Sequence, residues 1–251
     1  MTEDKKQKDD VIVGRNSVSE AIRSSRTIDR ILVAKGAKNG AVVGILAKAK
    51  KLGIPIKEVD PRKLDYLSGS ANHQGIAAFT AVKEYASVED IFALAEERGE
   101  KPFVIVLDEL EDPHNLGAVI RTAECAGAHG VIIPKRRSAS LSYAVSKASA
   151  GAVEYVPVAR VTNISTAVDK LKELGVWVFG ADMNGTDYTE CDFSGAVALV
   201  IGNEGKGLSR LVREKCDAIV SLPMKGKINS LNASVAAGIL MYAVSSKRGK
   251  P

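Results

Sequence analysis

Three segments of this chain repeat one arrangement: a short apolar strand runs into a loop rich in glycine, asparagine or proline, and a helix leaves that loop. The first loop, Asp108-Glu-Leu-Glu-Asp-Pro-His-Asn-Leu-Gly-Ala-Val-Ile-Arg121, follows the apolar run Phe103–Leu107. The second, Ile201-Gly-Asn-Glu-Gly-Lys-Gly207, follows Ala196-Val-Ala-Leu-Val200. The third, Leu222-Pro-Met-Lys-Gly-Lys-Ile-Asn-Ser-Leu-Asn-Ala-Ser234, lies between Ala218-Ile-Val-Ser221 and an Ala-rich apolar helix from Ala233 to about Ser245. Strand-sized apolar runs alternating with helix-sized segments constrain the fold to α/β, with a mostly parallel sheet covered on both faces. Open sheets of this kind bind ligands beyond the carboxyl ends of their strands, where these loops lie. A helix that opens such a loop adds unpaired N–H groups and a partial positive charge.

The alternation starts at Phe103. Strands are predicted at Phe103–Leu107, Val131–Pro134, Val156–Val161, Val176–Ala181, Ala196–Ile201 and Ala218–Leu222. Helices are predicted near Leu116–Ala126, Ser142–Ala148, Ile164–Leu174, Leu208–Lys215 and Ala233–Ser245. Before it, Val11 to about Val82 reads as a small α/β unit. Its predicted helices are Ser17–Ser24 and Ala41–Leu52, the second closed by Gly53, and its predicted strands are Arg30–Val33, Ile54–Val59 and Gly75–Val82. Lys83–Pro102 reads as the join between the two units, with helical spacing at Val88, Ile91, Phe92 and Ala95. Met1–Asp10 is charged and polar and reads as a disordered tail without a signal-peptide core.

Composition narrows the function classes. The chain of 251 residues is 45% hydrophobic, enough for a real core, and its longest apolar runs are strand-sized, too short for a bilayer. Cys125, Cys191 and Cys216 have no C-x-x-C spacing, which fits a reducing cytoplasm and argues against structural zinc. No cluster of metal ligands emerges. The net charge of +5 favours an anionic partner such as RNA, although many proteins without one carry as much.

Each loop admits a chemical reading and a plain one. In the first, Asn115 stands where an N-cap belongs, and Arg121 falls one turn beyond Gly117 on the same side of the helix. A guanidinium there can grip a phosphate with two parallel hydrogen bonds; the plain reading is a capped helix with a solvated arginine. In the second, Gly202-Asn-Glu-Gly-Lys-Gly207 matches neither G-x-x-x-x-G-K-[ST] nor G-x-G-x-x-G. It is either a loop for close backbone approach to a flat ligand, with Glu204 orienting a substrate or an arginine, or a glycine-rich turn. In the third, Ser230 and Asn232 precede a helix: a shaped pocket with Pro223 and Gly226, or a simple N-cap by Asn232 or Ser234. His114 is a candidate for proton transfer or an ordinary loop residue. Lys135-Arg136-Arg137 at a strand end is either a phosphate contact or a solvated charge run. No G-x-S-x-G elbow accompanies the serines, which argues against a common hydrolase.

Together, Asn115-Leu-Gly-Ala-Val-Ile-Arg121, Ile201-Gly-Asn-Glu-Gly-Lys-Gly207 and Ser230-Leu-Asn-Ala-Ser234 resemble, in order and spacing, the three motifs of the SpoU (TrmH-type) RNA ribose 2′-O-methyltransferases of the SPOUT superfamily. The resemblance covers about Phe103 to Arg248. The preceding unit resembles that family's ribosomal-protein-like RNA-binding module. The layout is most similar to enzymes that methylate a guanosine ribose in large-subunit ribosomal RNA.

The resemblance implies a C-terminal trefoil knot, against the usual rule of unknotted connections. It implies S-adenosylmethionine as cofactor, held by Gly202, Leu222 and Leu231 largely through backbone groups, with Ile201, Asn203 and Gly205 beside them. It implies a cytoplasmic homodimer acting on RNA, with no membrane or DNA partner, in which Arg121 reaches a site shared across the interface. Asn115, Arg121, Glu204, Ser230 and Asn232 occupy the family's polar positions. In the expected mechanism Arg121 clamps a phosphate or takes the ribose proton, Asn115 orients Arg121, Glu204 braces the site, and Ser230 and Asn232 hold substrate or the third loop. Transfer RNA is the alternative substrate. The rival classes are a non-enzymatic RNA-binding protein and a dinucleotide-dependent oxidoreductase, the latter weakened by the missing G-x-G-x-x-G.

Overall fold

The computed structural model describes residues 11–24, 26–37, 40–69 and 72–248, so the tail expected at Met1–Asp10 lies outside the described residues. The described residues form two compact units, one within residues 11–84 together with Ser140–Ala144, the other of Tyr85–Ala139 and residues 145–248.

The first unit contains β1 (Val11–Val13), α1 (Arg15–Arg23), β2 (Ile28–Ala34), α2 (Gly40–Lys51), β3 (Ile56–Val59), α3 (Pro61–Ser68) and β4 (Ile76–Thr80). Its sheet runs β1-β4-β2-β3, with β2 parallel to β3 and antiparallel to β4. Alternate side chains of a strand point to opposite faces, and β2 divides accordingly. Ile31 and Val33 pack with Val18, Val42 and Ile45 on one face, while Leu32 and Ala34 pack with Val59 and Leu64 on the other. Sequence periodicity misses α3 because it buries only Leu64 and Ser68. Its local start signal is clear: Pro61 sits in the first turn and the Asp60 carboxylate accepts from Arg62 N at 3.0 Å.

The second unit opens with α4 (Val88–Glu97). Ser87 and Asp90 form a reciprocal capping box, and Val88 and Ile91 are buried with Val104 and Ile132. The stretch 83–102, read from sequence as a join, therefore carries a helix of this unit's core. There follow β5 (Phe103–Leu107), α5 (Pro113–Cys125), β6 (Gly130–Pro134), α6 (Tyr143–Ala148), β7 (Val158–Val161), α7 (Ile164–Glu173), β8 (Trp177–Asp187), β9 (Val197–Ile201), α8 (Arg210–Lys215), β10 (Ala218–Ser221) and α9 (Ala233–Lys247). The sheet runs β10-β8-β9-β5-β6-β7, and every pairing in it is parallel. All residues of β5, β6 and β9 are buried, as a strand covered on both faces requires. The chain runs outward from β5 through β6 to β7, then crosses to place β9 on the other side of β5, which creates a switch point between β5 and β9.

β8 extends well past the expected end at Ala181. Ile219 of β10 pairs with Gly180, but the next residue, Val220, pairs with Thr186, so Ala181–Gly185 make an excursion from the ladder. No helix among the described residues is long and apolar enough to cross a membrane.

Candidate active site

The ends of β8, β9 and β10 surround a cavity of about 600 Å³. Its wall includes the second loop from Ile201 to Gly207, the third-loop residues Leu222, Ser230 and Leu231, and Ala181, Asp182 and Met183 from the β8 excursion. Of the expected cofactor contacts, Ile201, Gly202, Asn203, Gly205, Leu222 and Leu231 all line it, as do Glu204 and Ser230.

The second loop is folded tightly on itself. Asn203 and Gly207 exchange backbone hydrogen bonds of 3.0 and 2.9 Å. A Cβ on Gly202 would lie 2.2 Å from the Gly207 carbonyl carbon, so no side chain fits there. The Asn203 Oδ1 accepts from Gly205 N at 2.9 Å, and its Nδ2 donates to the Glu109 carbonyl at 3.0 Å, tying the second loop to the first. At the loop's exit, buried Asp108 accepts from Ser209 N at 2.7 Å. These bonds fix backbone beside the cavity, an arrangement that serves a flat ligand approached by main chain.

Asn115 is not the N-cap that its position in the sequence suggested. The helix begins earlier, at Pro113, because Asp112 accepts from His114 N at 3.1 Å and Pro113 pre-sets the first turn. Asn115 instead faces inward, 8% exposed. Its Nδ2 donates to Glu204 Oε1, and its Oδ1 accepts from Asn232 Nδ2 at 3.0 Å. Asn232 in turn caps α9, its Oδ1 accepting from Ser234 N at 2.9 Å and Val235 N at 3.3 Å. One side chain from each loop thus joins a single network: Asn232 to Asn115 to Glu204. Gly117 permits close packing behind it, since a Cβ there would meet the Ala148 Cβ at 2.4 Å.

Arg121 is not part of this network. It lies further along α5, exposed, and does not line the cavity. Asn115, expected to orient Arg121, instead bonds Glu204 and Asn232. Ser230 stands at the cavity wall with an exposed residue surface, and His114 is exposed on α5.

Asp182 and Met183 escaped the sequence reading. Arg213 Nη1 sits 2.7 Å from Asp182 Oδ2, and the Asp182 Oδ1 accepts from Asn184 N at 3.1 Å. Their available signal was an aspartate directly after the apolar run Val176–Ala181, at a carboxyl strand end. Among the described residues no group of His, Cys, Asp or Glu is arranged to hold a metal ion.

The site fits an S-adenosyl ligand on its own terms. Its volume lies in the ~300–1,000 Å³ range of small-molecule pockets. Leu222, Leu231 and Leu240 supply apolar wall for a base, while Asp182, Glu204 and Ser230 supply polar groups.

Comparison with known proteins agrees with this arrangement. Residues 102–242 match the model of the SpoU rRNA Methylase family, and residues 11–86 match that of RNA 2′-O ribose methyltransferase substrate binding. A Bacillus subtilis (strain 168) protein provisionally named a TrmH family tRNA/rRNA methyltransferase, YacO, is 49% identical over 243 residues, spanning 96% of this chain and 97% of its own length. Among solved structures, the AdoMet-bound rRNA methyltransferase from Sinorhizobium meliloti superposes with a TM-score of 0.57 at 26% identity, covering 93% of this chain and 85% of its own. The SpoU methyltransferase AviRb from Streptomyces viridochromogenes, in complex with AdoMet, shares the fold, with a TM-score of 0.59 at 23% identity over 98% of this chain and 93% of its own. With a relative near half identity along almost its whole length, and its three loops converging at one end of the parallel sheet, this chain belongs to the SpoU methylase family.

Proposed function

We propose that this protein transfers a methyl group from S-adenosylmethionine to the ribose 2′-hydroxyl of a guanosine in 23S (large-subunit) ribosomal RNA, as a cytoplasmic homodimer. The observation that carries the reading is the Asn232–Asn115–Glu204 network, which draws all three loops together beside a cavity of about 600 Å³. The wider layout, an RNA-methyltransferase substrate-binding match followed by the catalytic-domain match, supports an RNA substrate. Neither rival class needs this arrangement.

When bound, the cofactor supplies a methyl group made electrophilic by its positively charged sulfur. Ile201, Gly202, Asn203, Gly205, Leu222 and Leu231 hold it. The chain's remaining task is to place a ribose oxygen and ease the loss of its proton, a matter chiefly of positioning and electrostatics. In this proposal Asn115 locks the relative placement of the loops, Glu204 braces them, and Ser230 and Asn232 hold the substrate side of the third loop. Arg121 clamps an RNA phosphate through its planar guanidinium.

The dimer reading explains why Arg121 stands apart. On α9, Val235, Ile239 and Tyr242 are 50%, 39% and 54% exposed, one apolar stripe at helical spacing on a helix that also buries Leu240, Met241 and Val244. Gly238 of the same helix lies against Thr122, next to Arg121. A second copy seated on the stripe brings its own cavity toward this Arg121. The C-terminal trefoil knot belongs to the same reading. Its support is the insertion of β9 between β8 and β5, with α9 packed back on α5 and β9.

The test is a map of 2′-O-methyl groups on total RNA from cells with and without the protein. A guanosine in 23S RNA that loses its methyl supports the reading. A lost methyl in transfer RNA alone replaces the substrate, and an unchanged map removes the activity.

A further inference from the structure

The basic run Lys135-Arg136-Arg137 sits at the carboxyl end of β6, on the same rim of the sheet as the three loops. β6 pairs with β5 on the side away from β9, so this run flanks the first loop opposite the cavity. Two strand spacings separate the ends of β9 and β6, about 10 Å.

This run is held in place. Arg137 has φ 54° and Glu109 has φ 63°, a left-handed backbone that non-glycine residues seldom adopt. The two residues face each other, with Arg137 Nη1 2.9 Å from Glu109 Oε1. A second stitch, Ala139 N to the Leu110 carbonyl at 2.8 Å, binds the same two loops. Glu109 also accepts, at its carbonyl, the Asn203 amide that shapes the cavity loop. Such strained conformations persist only where the surroundings hold them, and they gather at functional sites. A charge run that merely keeps the surface solvated needs no such fixing.

The ion pair occupies Arg137 alone. Lys135 and Arg136 are exposed, and their side chains make no hydrogen bond or ion pair among the described residues. Two cations are thereby presented on a pinned loop, one loop away from the cavity.

We propose that Lys135 and Arg136 form a ledge that binds phosphates of the RNA strand next to the methylated ribose. The inference rests on the RNA methyltransferase reading above and adds to it a binding surface on the catalytic unit itself. Phosphate contacts of this kind fix the register of a nucleic acid without reading its sequence.

The test uses the full chain and the double variant Lys135→Gln/Arg136→Gln. Affinity for an unmodified 23S transcript is measured across a salt series. Methyl transfer is measured on RNA from cells lacking the protein, which retains the unmodified target of either RNA class. The slope of log affinity against log salt should fall by about 1 for each cation removed. The KM for RNA should rise roughly 10- to 50-fold, the scale of losing two phosphate contacts near 0.1 M salt. Cofactor affinity by calorimetry should match wild type, which shows the variant is folded. A wild-type slope and KM in the folded variant overturn the ledge and leave the activity standing. If the wild-type protein neither binds RNA nor transfers methyl groups, the ledge falls together with the reading beneath it.

Discussion

Asn115 on α5 donates a hydrogen bond to Glu204 in the loop after β9, across 89 residues of sequence. Its carbonyl accepts from Asn232 at the start of α9. Asn115→Ala cuts both links and empties a buried position. It should destabilise the protein by about 1–3 kcal/mol and lower methyl transfer by about two orders of magnitude. Asn115→Asp should be worse at neutral pH, because it sets a second carboxylate against Glu204. An Asn115→Asp enzyme as active as wild type at pH 7 contradicts this role.

Gly202→Ala should abolish detectable cofactor binding. The added methyl meets backbone at 2.2–2.5 Å, which cannot move without opening the Asn203–Gly207 turn. Calorimetry on folded variant, its fold checked by circular dichroism, decides the matter. Wild-type affinity would show that the turn does not shape the site.

The α9 stripe predicts the assembly. Tyr242→Glu should convert a dimer into a monomer in sedimentation, since it places a charge in the apolar face beside Ile239. A dimer unaffected by that change lies elsewhere on the surface.

Arg121→Ala should lose methyl transfer by about two orders of magnitude or more, with cofactor affinity little changed, because Arg121 does not line the cavity. Arg121→Lys should rescue poorly, since an ammonium cannot reproduce a planar two-pronged grip. Mixing Arg121→Ala with Gly202→Val should restore activity in the heterodimer, where one site combines an intact cavity with an intact arginine. A heterodimer that forms but stays inactive places both on one chain.

Away from the site, His129 is fully buried, and its Nδ1 accepts from Phe103 N at 2.9 Å. Burial pushes its pKa below the usual histidine value, with Glu100 opposing and Arg248 and Arg98 reinforcing the shift. The sign follows from linkage. Above the unfolded pKa of about 6.5 both states are neutral; below it the unfolded chain takes up the proton first. Stability should therefore decline as pH falls from about 7 through the folded pKa. A denaturant series at several pH values should show that decline, and His129→Gln should flatten it.

The strand-loop-helix pattern was legible because β5 and β9 are apolar along their whole length and their loops break abruptly into glycine and asparagine. The cavity residues of the second and third loops came instead from the resemblance of those loops to the family's motifs, which no periodicity supplies. The Asn115 contacts were not, because hydrogen bonds over such separations depend on the strand order β8-β9-β5, which no local pattern encodes. The Asp182 wall was hidden by the β8 excursion, where pairing breaks and resumes six residues on the β8 side for one on β10. Helix α4 was visible as spacing at Val88 and Ile91, but its membership in the second core depends on packing against Val104 and Ile132.

The most direct measurement gives purified protein an unmodified 23S transcript and S-adenosylmethionine carrying a labelled methyl group, followed by digestion of the RNA to nucleosides. The account predicts label in 2′-O-methylguanosine, dependent on Arg121 and on Gly202. Label on a base, or no label in the transcript under conditions where the cofactor binds, would contradict it.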